Sequence, residues 1–329
     1  MTFNERVTTI ARFGFTDRQA RFLTIVMLHS GVCVPRQYAT FCGIVHEQKT
    51  RKFFAKLVRL RYASMYDCRH NRARIYHVIS PALYRAIDDA QSRHRRPLTL
   101  SHAMHRLMLL DALVESPEMM WLTTVDDKTT HLLTLTSINR EDLPHVTVGE
   151  GDRRTVKYFP ERLPIGIHPD GRGVLVYLVT EPSLDDFRVF LERHAALLRA
   201  LRSWTLRIVV PGHLPGLGQQ AKQAFWNQLL TPLRPPSAAE LRWYFEQART
   251  HPTLSRCNDL DERFFVARDV FSTPCYKALY RVWKQEGERA LAHLESHALY
   301  DAEKAGSGRV ETLELGHRYG HLSPLVNVA

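Results

Sequence analysis

The stretch HEQKTRKFFAKLVRLR, residues 46–61, restricts the possible fold more than any other part of the chain. On the 3.6-residue period of an α-helix its apolar residues share one arc, and its polar and basic residues share the opposite arc. The apolar arc consists of Phe53, Phe54, Leu57, Val58 and Leu60. The pattern predicts an amphipathic helix whose basic side either meets nucleic acid or is simply solvated.

Two shorter helices are predicted before this stretch. The helix over residues 16–30 opens with the spacing of a capping box, in which Gln19 follows Thr16 by three positions. The second helix, over residues 35–42, begins with a proline at a position that tolerates it. Gly43 then allows a sharp turn into the basic helix.

A hairpin is predicted after the basic helix. Residues 62–66 and 74–79 have strand-like composition, and the polar residues 67–73 between them contain the turn-favouring Asn71. Three helices followed by a hairpin with a basic tip is the order of elements in a winged helix-turn-helix. In that fold the third helix enters the major groove of DNA. The sequence therefore predicts that residues 1–97 form a DNA-binding domain, with linker.

The basic side of the third helix and the hairpin supply the candidate DNA contacts. Gln48, Arg51 and Lys52 lie early in the helix, where side chains reach base edges. Arg59, Arg72 and Arg74 are expected to contact phosphates. The predicted DNA-binding set is Arg36, Gln48, Lys49, Arg51, Lys52, Lys56, Arg59, His70, Arg72 and Arg74.

The distribution of charge supports this interpretation. The chain carries a formal net charge of +11, but residues 1–97 contain 18 Lys and Arg against 6 Asp and Glu. The remaining residues contain 27 basic and 28 acidic side chains, so the positive excess lies entirely in the N-terminal segment. A basic domain joined to a nearly neutral one indicates a nucleic-acid footprint on the first.

The rest of the chain is predicted to complete an α+β protein, with a larger α/β domain over residues 98–215 and a mainly helical region over residues 216–329. The basic segment 91–97 is interpreted as a linker, or as a tether that also contacts phosphate. Predicted helices and strands of the α/β domain include a helix over 101–115, strands at 121–125 and 130–135, a hairpin over 163–180, a helix over 183–201 and a strand at 204–210. Helices are predicted at 219–230, 237–250, 272–286 and 288–297, followed by a weakly patterned tail.

No catalytic centre, metal site or cofactor is predicted. Histidine pairs such as His102 and His105 have helical spacing, but a zinc site needs further converging ligands. The layout around Asp170 is similar to that of PD-(D/E)xK nucleases, a hairpin followed by a helix and a strand. The strand after Asp170 lacks the second acid and the lysine that such a site needs to hold a metal and orient water. The protein is accordingly expected not to be an enzyme, with a degenerate or active nuclease kept as an alternative.

The location of the protein is inferred from what the sequence lacks. There is no stretch of about 18 apolar residues of the kind that spans a membrane. The N-terminal residues lack the apolar core of a secretory signal. A cytoplasmic, nucleoid-associated protein without membrane contact is therefore expected.

Several short strings resemble a known group of proteins. They are FTDRQA at 15–20, HSG at 29–31, RQY at 36–38, the basic stretch itself and RLMLLD at 106–111. In these strings the chain resembles the winged-helix proteins of bacterial plasmids and integrative elements, of the replication–relaxation and mobile-element accessory type. The resemblance implies a bacterial, DNA-associated, regulatory protein and supplies no catalytic residues.

The leading hypothesis is a sequence-specific double-stranded DNA-binding protein that regulates transcription on a mobile genetic element. Its C-terminal part is expected to form a homodimer or to bind a protein partner. An alternative is a replication or DNA-transfer accessory protein that recruits partners to an origin. The two differ in where the protein sits, at its own promoter or at an origin or transfer site.

Overall fold

The computed structural model describes residues 1–44, 48–69, 72–149, 153–250 and 262–317, together with residues 319 and 322. Within these ranges the chain is a mixed α+β protein, as expected. None of the described helices is both long and apolar enough to cross a membrane.

The N-terminal unit, residues 3–95, contains the three helices and two strands predicted for it, together with further elements that were not predicted. Its elements are α1 (Phe3–Ala11), α2 (Asp17–His29), β1 (Val32–Cys33), α3 (Pro35–Cys42), α4 (Gln48–Arg59), β2 (Ala63–Asp67), β3 (Arg74–Val78), α5 (Pro81–Ala86) and a 3₁₀ turn (Arg93–Arg95). The hydroxyl of Thr16 accepts from the amide of Gln19, whose side chain accepts from the amide of Thr16. This is the predicted capping box. Gly43 ends α3 in the left-handed conformation.

Two details of this unit differ from the prediction. Leu60 was assigned to the apolar arc of the basic helix, but α4 ends at Arg59 and Leu60 is 39% exposed. Because the helix ends just before Leu60, the side chain of Leu60 does not join the apolar arc that packs on the core. The predicted contact residue His70 and the first two residues of the basic stretch, 46 and 47, lie outside the described residues.

The segment predicted as a linker packs against the N-terminal unit instead. His94 is 5% exposed, and the imidazole Nε2 of His77 in β3 donates to its carbonyl oxygen over 2.8 Å. Gly31 approaches the same residue so closely that an added Cβ would lie 2.4 Å from the His94 carbonyl oxygen. The prediction of a tether was therefore wrong for the 3₁₀ turn, because tertiary packing orders a segment that is polar in sequence.

We expect Gly31→Ala to destabilise the protein more than Gly43→Ala. Both glycines have a positive φ, 76° and 61°, so both substitutions incur the cost of a left-handed alanine, about 1 kcal/mol. Only Gly31 also faces backbone atoms, whereas a Cβ on Gly43 meets nothing within 4 Å. Urea unfolding of the two variants measures the difference. Equal losses would show that the Gly31–His94 approach relaxes without cost.

A five-stranded sheet forms the centre of the rest of the described chain, in the order β10-β9-β8-β7-β4. Its strands are β4 (Met120–Leu122), β7 (Ile165–Ile167), β8 (Gly173–Leu178), β9 (Trp204–Pro211) and β10 (Gly308–Leu315). β7 runs antiparallel to both of its neighbours, β4 and β8, whereas β8, β9 and β10 are parallel to one another. The predicted hairpin and the following strand–helix–strand unit are thereby confirmed.

Both faces of this sheet are covered, which explains why β7 and β8 consist almost entirely of apolar residues. Val174, Val176 and Leu178 belong to the same buried cluster as α6 (Leu100–Val114) and the N-terminal unit. Leu175 and Val179 face the opposite side, which is covered by α8 (Asp185–Ala200) and α9 (Leu217–Phe225). α6 thus lies between the sheet and the N-terminal unit.

Two predictions for the middle region were wrong or incomplete. The segment predicted as a strand at 130–135 is part of a helix, α7 (Val125–Leu135), which begins with a capping box between Thr124 and Asp127. The strand predicted at 121–125 also ends early, at Leu122 of β4, because the acidic residues after it lie in the first turn of this helix. A separate antiparallel pair, β5 (His145–Val148) and β6 (Thr155–Tyr158), follows α7 in the chain.

The C-terminal region is mainly helical, but it also completes the sheet. A π-helical turn (Trp226–Leu230) follows α9, and further helices are α10 (Pro235–Thr250), α11 (Glu262–Phe271), α12 (Pro274–Glu286) and α13 (Ala298–Lys304). The helix predicted at 288–297 is a short 3₁₀ segment, Gly287–Leu291, followed by turns. The tail predicted to be weakly patterned contains β10, so the boundary drawn at residue 215 divides a single sheet.

Candidate nucleic-acid interface

The position of α4 is set by a cluster of aromatic rings beneath it. The Phe53 ring stacks on Tyr38 of α3 with centroids 4.4 Å apart, and the Phe54 ring lies 4.4 Å from Tyr76 of β3. Phe22 of α2 meets Phe53 edge-on at 6.2 Å. Rings from two helices and a strand therefore hold one side of α4 in place, and its opposite side faces outward.

The outward side of α4 carries positive charge without compensation. Gln48, Lys49, Arg51, Lys52 and Arg59 are all exposed. The four cations among them form no ion pair with any described residue. The sequence contains no Asp or Glu between residues 47 and 67, so the local field stays positive. Such a surface attracts polyanions.

The hairpin extends this surface with further arginines. Arg72 is exposed and has a positive φ of 49°. Arg74 is also exposed and pairs with Asp67 across the hairpin at 3.0 Å, and this hydrogen bond raises the pKa of Arg74. An exposed ion pair of this kind is weak and can be exchanged for a phosphate contact. Arg61 and Arg69 are exposed as well, and sequence reasoning did not include them.

Lys56 does not belong to the free basic surface. Its ammonium group donates to the carbonyl oxygen of Gly14 and lies 4.8 Å from the centre of the Phe15 ring. The side chain thus fastens α4 to the loop before α2. We therefore remove Lys56 from the predicted set of DNA contacts, because its charge is already engaged inside the protein.

Arg36 is also engaged within the protein, at the junction between the N-terminal unit and α6. Its two Nη atoms donate to the two carboxylate oxygens of Asp111 over 2.5 and 2.7 Å. The Tyr319 hydroxyl donates to the same carboxylate, and its ring lies under the Arg36 guanidinium at 5.6 Å. Arg36 therefore joins α3 to α6 and the C-terminal segment, and we remove it from the predicted contacts.

A second polar contact joins α1 to α7. The Arg6 guanidinium donates to the carbonyl oxygen of Ile87 over 3.2 Å, to the Thr123 hydroxyl over 2.8 Å and to Asp127 over 3.2 Å. The pKa of Asp127 is held at about 2, because hydrogen bonds from Thr123 and Thr124 outweigh the effect of its burial. The N-terminal unit is therefore attached to the rest of the chain at two separate places.

Asp170, the centre of the nuclease alternative, lies in the exposed turn between β7 and β8. Its carboxylate is 2.8 Å from Nδ1 of His168 and accepts from the Arg172 amide over 2.9 Å. That backbone hydrogen bond lowers the pKa of Asp170. Across the described residues, no three or more His, Cys, Asp or Glu side chains converge in a way that could hold a metal ion.

Comparison with known proteins gives no family assignment. No protein-family model matches the chain, and no curated protein or solved structure is significantly similar to it.

Proposed function

We propose that the chain binds double-stranded DNA through α4, with residues 17–78 acting as a winged helix. The observation that carries the proposal is the outward side of α4, whose cations are exposed and unpaired among the described residues. The major groove of DNA is wide enough to admit an α-helix such as α4. The aromatic cluster beneath α4 limits the movement of this helix. Because this positively charged helix is already formed, it loses little conformational entropy on binding.

The side chains divide into two groups by their place on this surface. Gln48, Arg51 and Lys52 project from the first half of α4 and would meet base edges. Arg59 and the exposed arginines of the hairpin would contact phosphates, which fix the position of the protein but carry no sequence information. Sequence-specific binding thus rests on a small group of side chains within one and a half turns of helix.

We further propose that this DNA binding serves transcriptional regulation on a bacterial mobile element, with the chain acting as a cytoplasmic, nucleoid-associated homodimer. The charge difference between the basic N-terminal segment and the nearly neutral remainder supports a division between DNA binding and other contacts. Genome-wide mapping of bound sites tests the regulatory role. Binding at an origin or transfer site, rather than at a promoter, would favour the accessory role instead.

The salt dependence of binding tests the proposed surface. The affinity of the full chain for duplex DNA should fall with salt concentration, with a logarithmic slope of about −0.9 per phosphate contact. Arg72→Ala should weaken binding to a selected site and to a scrambled duplex equally, and should make the slope shallower by about one unit. Fluorescence anisotropy at several salt concentrations measures both. A slope that does not change in Arg72→Ala would remove the hairpin from the interface.

A further inference from the structure

A cleft distant in sequence from the basic surface lies between α8, α12 and the turns beside them. Its walls are formed by residues 141–145, one side of α8, the π-helical turn and residues 289–294. The cavity between these walls has a volume of about 120 Å³. This space can admit a small organic molecule.

One side of α8 and the π-helical turn bring polar groups together in the cleft. Glu192 and Arg199 are separated by about two turns of α8 and both line it. The Gln228 amide donates to the Glu192 carboxylate and to the Cys275 carbonyl oxygen, the latter over 3.0 Å. Burial raises the pKa of Glu192 to about 7, so near neutral pH this carboxyl can either accept or donate a hydrogen bond.

Arg199 lines the cleft and forms no ion pair with any described residue. Its Nη2 donates to the His293 carbonyl oxygen over 3.3 Å, while its Nε has no hydrogen-bond partner. Burial lowers the pKa of Arg199 to about 10, and the group is still charged at neutral pH. The other cleft arginines differ in this respect, since Arg193 pairs with Glu161 and Arg289 with Glu141.

The π-helical turn provides a second, independent indication of a site. Such turns are rare, and they occur frequently where a protein binds a ligand or performs chemistry. Here the turn carries Gln228, whose Oε1 is buried without a hydrogen-bond partner. Native proteins leave few buried polar groups unpaired, because each one costs free energy. Gln228 Oε1 can therefore accept a hydrogen bond from a ligand donor, and the Arg199 guanidinium can donate to an anionic ligand group.

We propose that this cleft binds a small molecule carrying both a carboxylate and a hydrogen-bond donor, the chemistry of an α-amino or α-hydroxy acid. The ligand carboxylate would pair with Arg199, as carboxylates do with guanidinium groups. The ligand donor would face Gln228 and Glu192. Ligand binding would require the Arg199 and Gln228 side chains to rotate, because their unpaired atoms are buried in this structure.

The charges around the cleft favour this class of ligand over a phosphate-bearing one. Asp142 and Glu286 also line the walls, and a group with two negative charges would be repelled by them. Only Arg199 would remain to balance that group, because the other cleft arginines are already paired. Glu192 attracts the Arg199 guanidinium but forms no ion pair with it, so a single carboxylate matches the one cleft arginine that is not paired with a described residue.

Thermal unfolding of the full chain with the twenty common L-amino acids and L-lactate tests the proposal. At least one of these probes should raise the unfolding temperature in a saturable manner. Acetate, which lacks the donor, and ethylamine, which lacks the carboxylate, should not do so at the same concentrations. Isothermal titration calorimetry with the active probe then gives its affinity.

Two cleft variants and one surface variant decide whether the binding occurs at this site. Arg199→Met and Gln228→Leu should each weaken the calorimetric affinity at least tenfold, whereas the exposed control Arg309→Met should leave it unchanged. If Arg199→Met does not fold, Gln228→Leu alone decides. The proposal is wrong if no probe binds, or if the affinity is the same in a folded cleft variant. Because none of these measurements involves DNA, their outcome is independent of the function proposed for α4.

Discussion

Replacing Arg51 and Lys52 together with alanine is expected to reduce the affinity for a selected duplex at least about tenfold. Each side chain that pairs with a base edge contributes about 1–3 kcal/mol of discrimination, and 1.4 kcal/mol corresponds to a factor of ten. Affinity for a scrambled duplex should fall less, so that the ratio between the two duplexes narrows. Fluorescence anisotropy titrations against both duplexes measure this ratio.

The fold should survive this double substitution. Both side chains are exposed on α4 and make no ion pair with a described residue, so the free energy of unfolding should change by about 0.5 kcal/mol or less. Alanine also has a high helix propensity. A loss of DNA affinity can therefore be assigned to the missing contacts and not to unfolding.

A control variant in which two other arginines are replaced distinguishes DNA binding through the α4 surface from a general effect of positive charge. Arg202 and Arg309 are exposed and lie outside the N-terminal unit, the first just before β9 and the second in β10. Replacing both with alanine removes the same net charge as the α4 substitution, and DNA affinity should then change little. If both double variants lost affinity equally, the protein would bind DNA through its overall charge, and α4 would not be the reading helix.

Replacing Asp111 with alanine is expected to lower the free energy of unfolding by about 3–5 kcal/mol. Asp111 is 3% exposed and accepts from both Nη atoms of Arg36 and from the Tyr319 hydroxyl. Without it, the guanidinium of Arg36 would remain in a largely enclosed position with no counter-charge. Chemical denaturation followed by circular dichroism measures the loss.

The exposed pair between Arg74 and Asp67 is the matched control. Its geometry is also close, at 3.0 Å, but both side chains are about half exposed. Asp67→Ala should therefore cost no more than about 1 kcal/mol. Similar losses in the two variants would mean that the Arg36–Asp111 pair is hydrated in solution and does not join α3 to α6 as the structure shows.

The combined variant Arg36→Met with Asp111→Leu tests the cause of this loss. Replacing a whole buried ion pair with apolar side chains is often neutral, whereas removing one partner leaves a buried charge. The double variant should thus recover much of the stability that Asp111→Ala loses. Recovery would show that the uncompensated charge, and not the lost packing of Asp111, accounts for the effect.

Local patterns in the sequence were sufficient for the elements that depend on neighbouring residues. The capping box of Thr16 and Gln19, the positive φ of Gly43 and the amphipathic period of α4 each involve contacts within a few positions. The hairpin of β7 and β8 is equally local, because a tight turn joins two apolar strands. These elements were predicted because one short stretch contains all the information that specifies them.

Elements whose partners are distant in sequence were the ones predicted incorrectly. β10 lies beside β9 about a hundred residues away, and its Gly308 is required where a Cβ would lie 2.4 Å from the Trp204 ring. In the sequence, β10 is marked only by a glycine before a segment in which apolar and polar residues alternate. This pattern does not indicate which strand β10 pairs with. The start of α7 is an exception, because its capping box of Thr124 and Asp127 is as local as that of Thr16 and Gln19 and was nevertheless missed in the sequence.

The sequence by itself determined the amphipathic basic helix, its capped predecessor and the concentration of positive charge in the first 97 residues, because period and composition are local properties. Only the tertiary structure decided which cations remain free. Lys56 meets Gly14 and Arg36 meets Asp111, whereas Arg51 and Lys52 face outward without an ion pair among the described residues. The physical reason is that an ion pair depends on distance in space. Folding brings Arg36 to a carboxylate 75 positions away, and no local pattern records that approach.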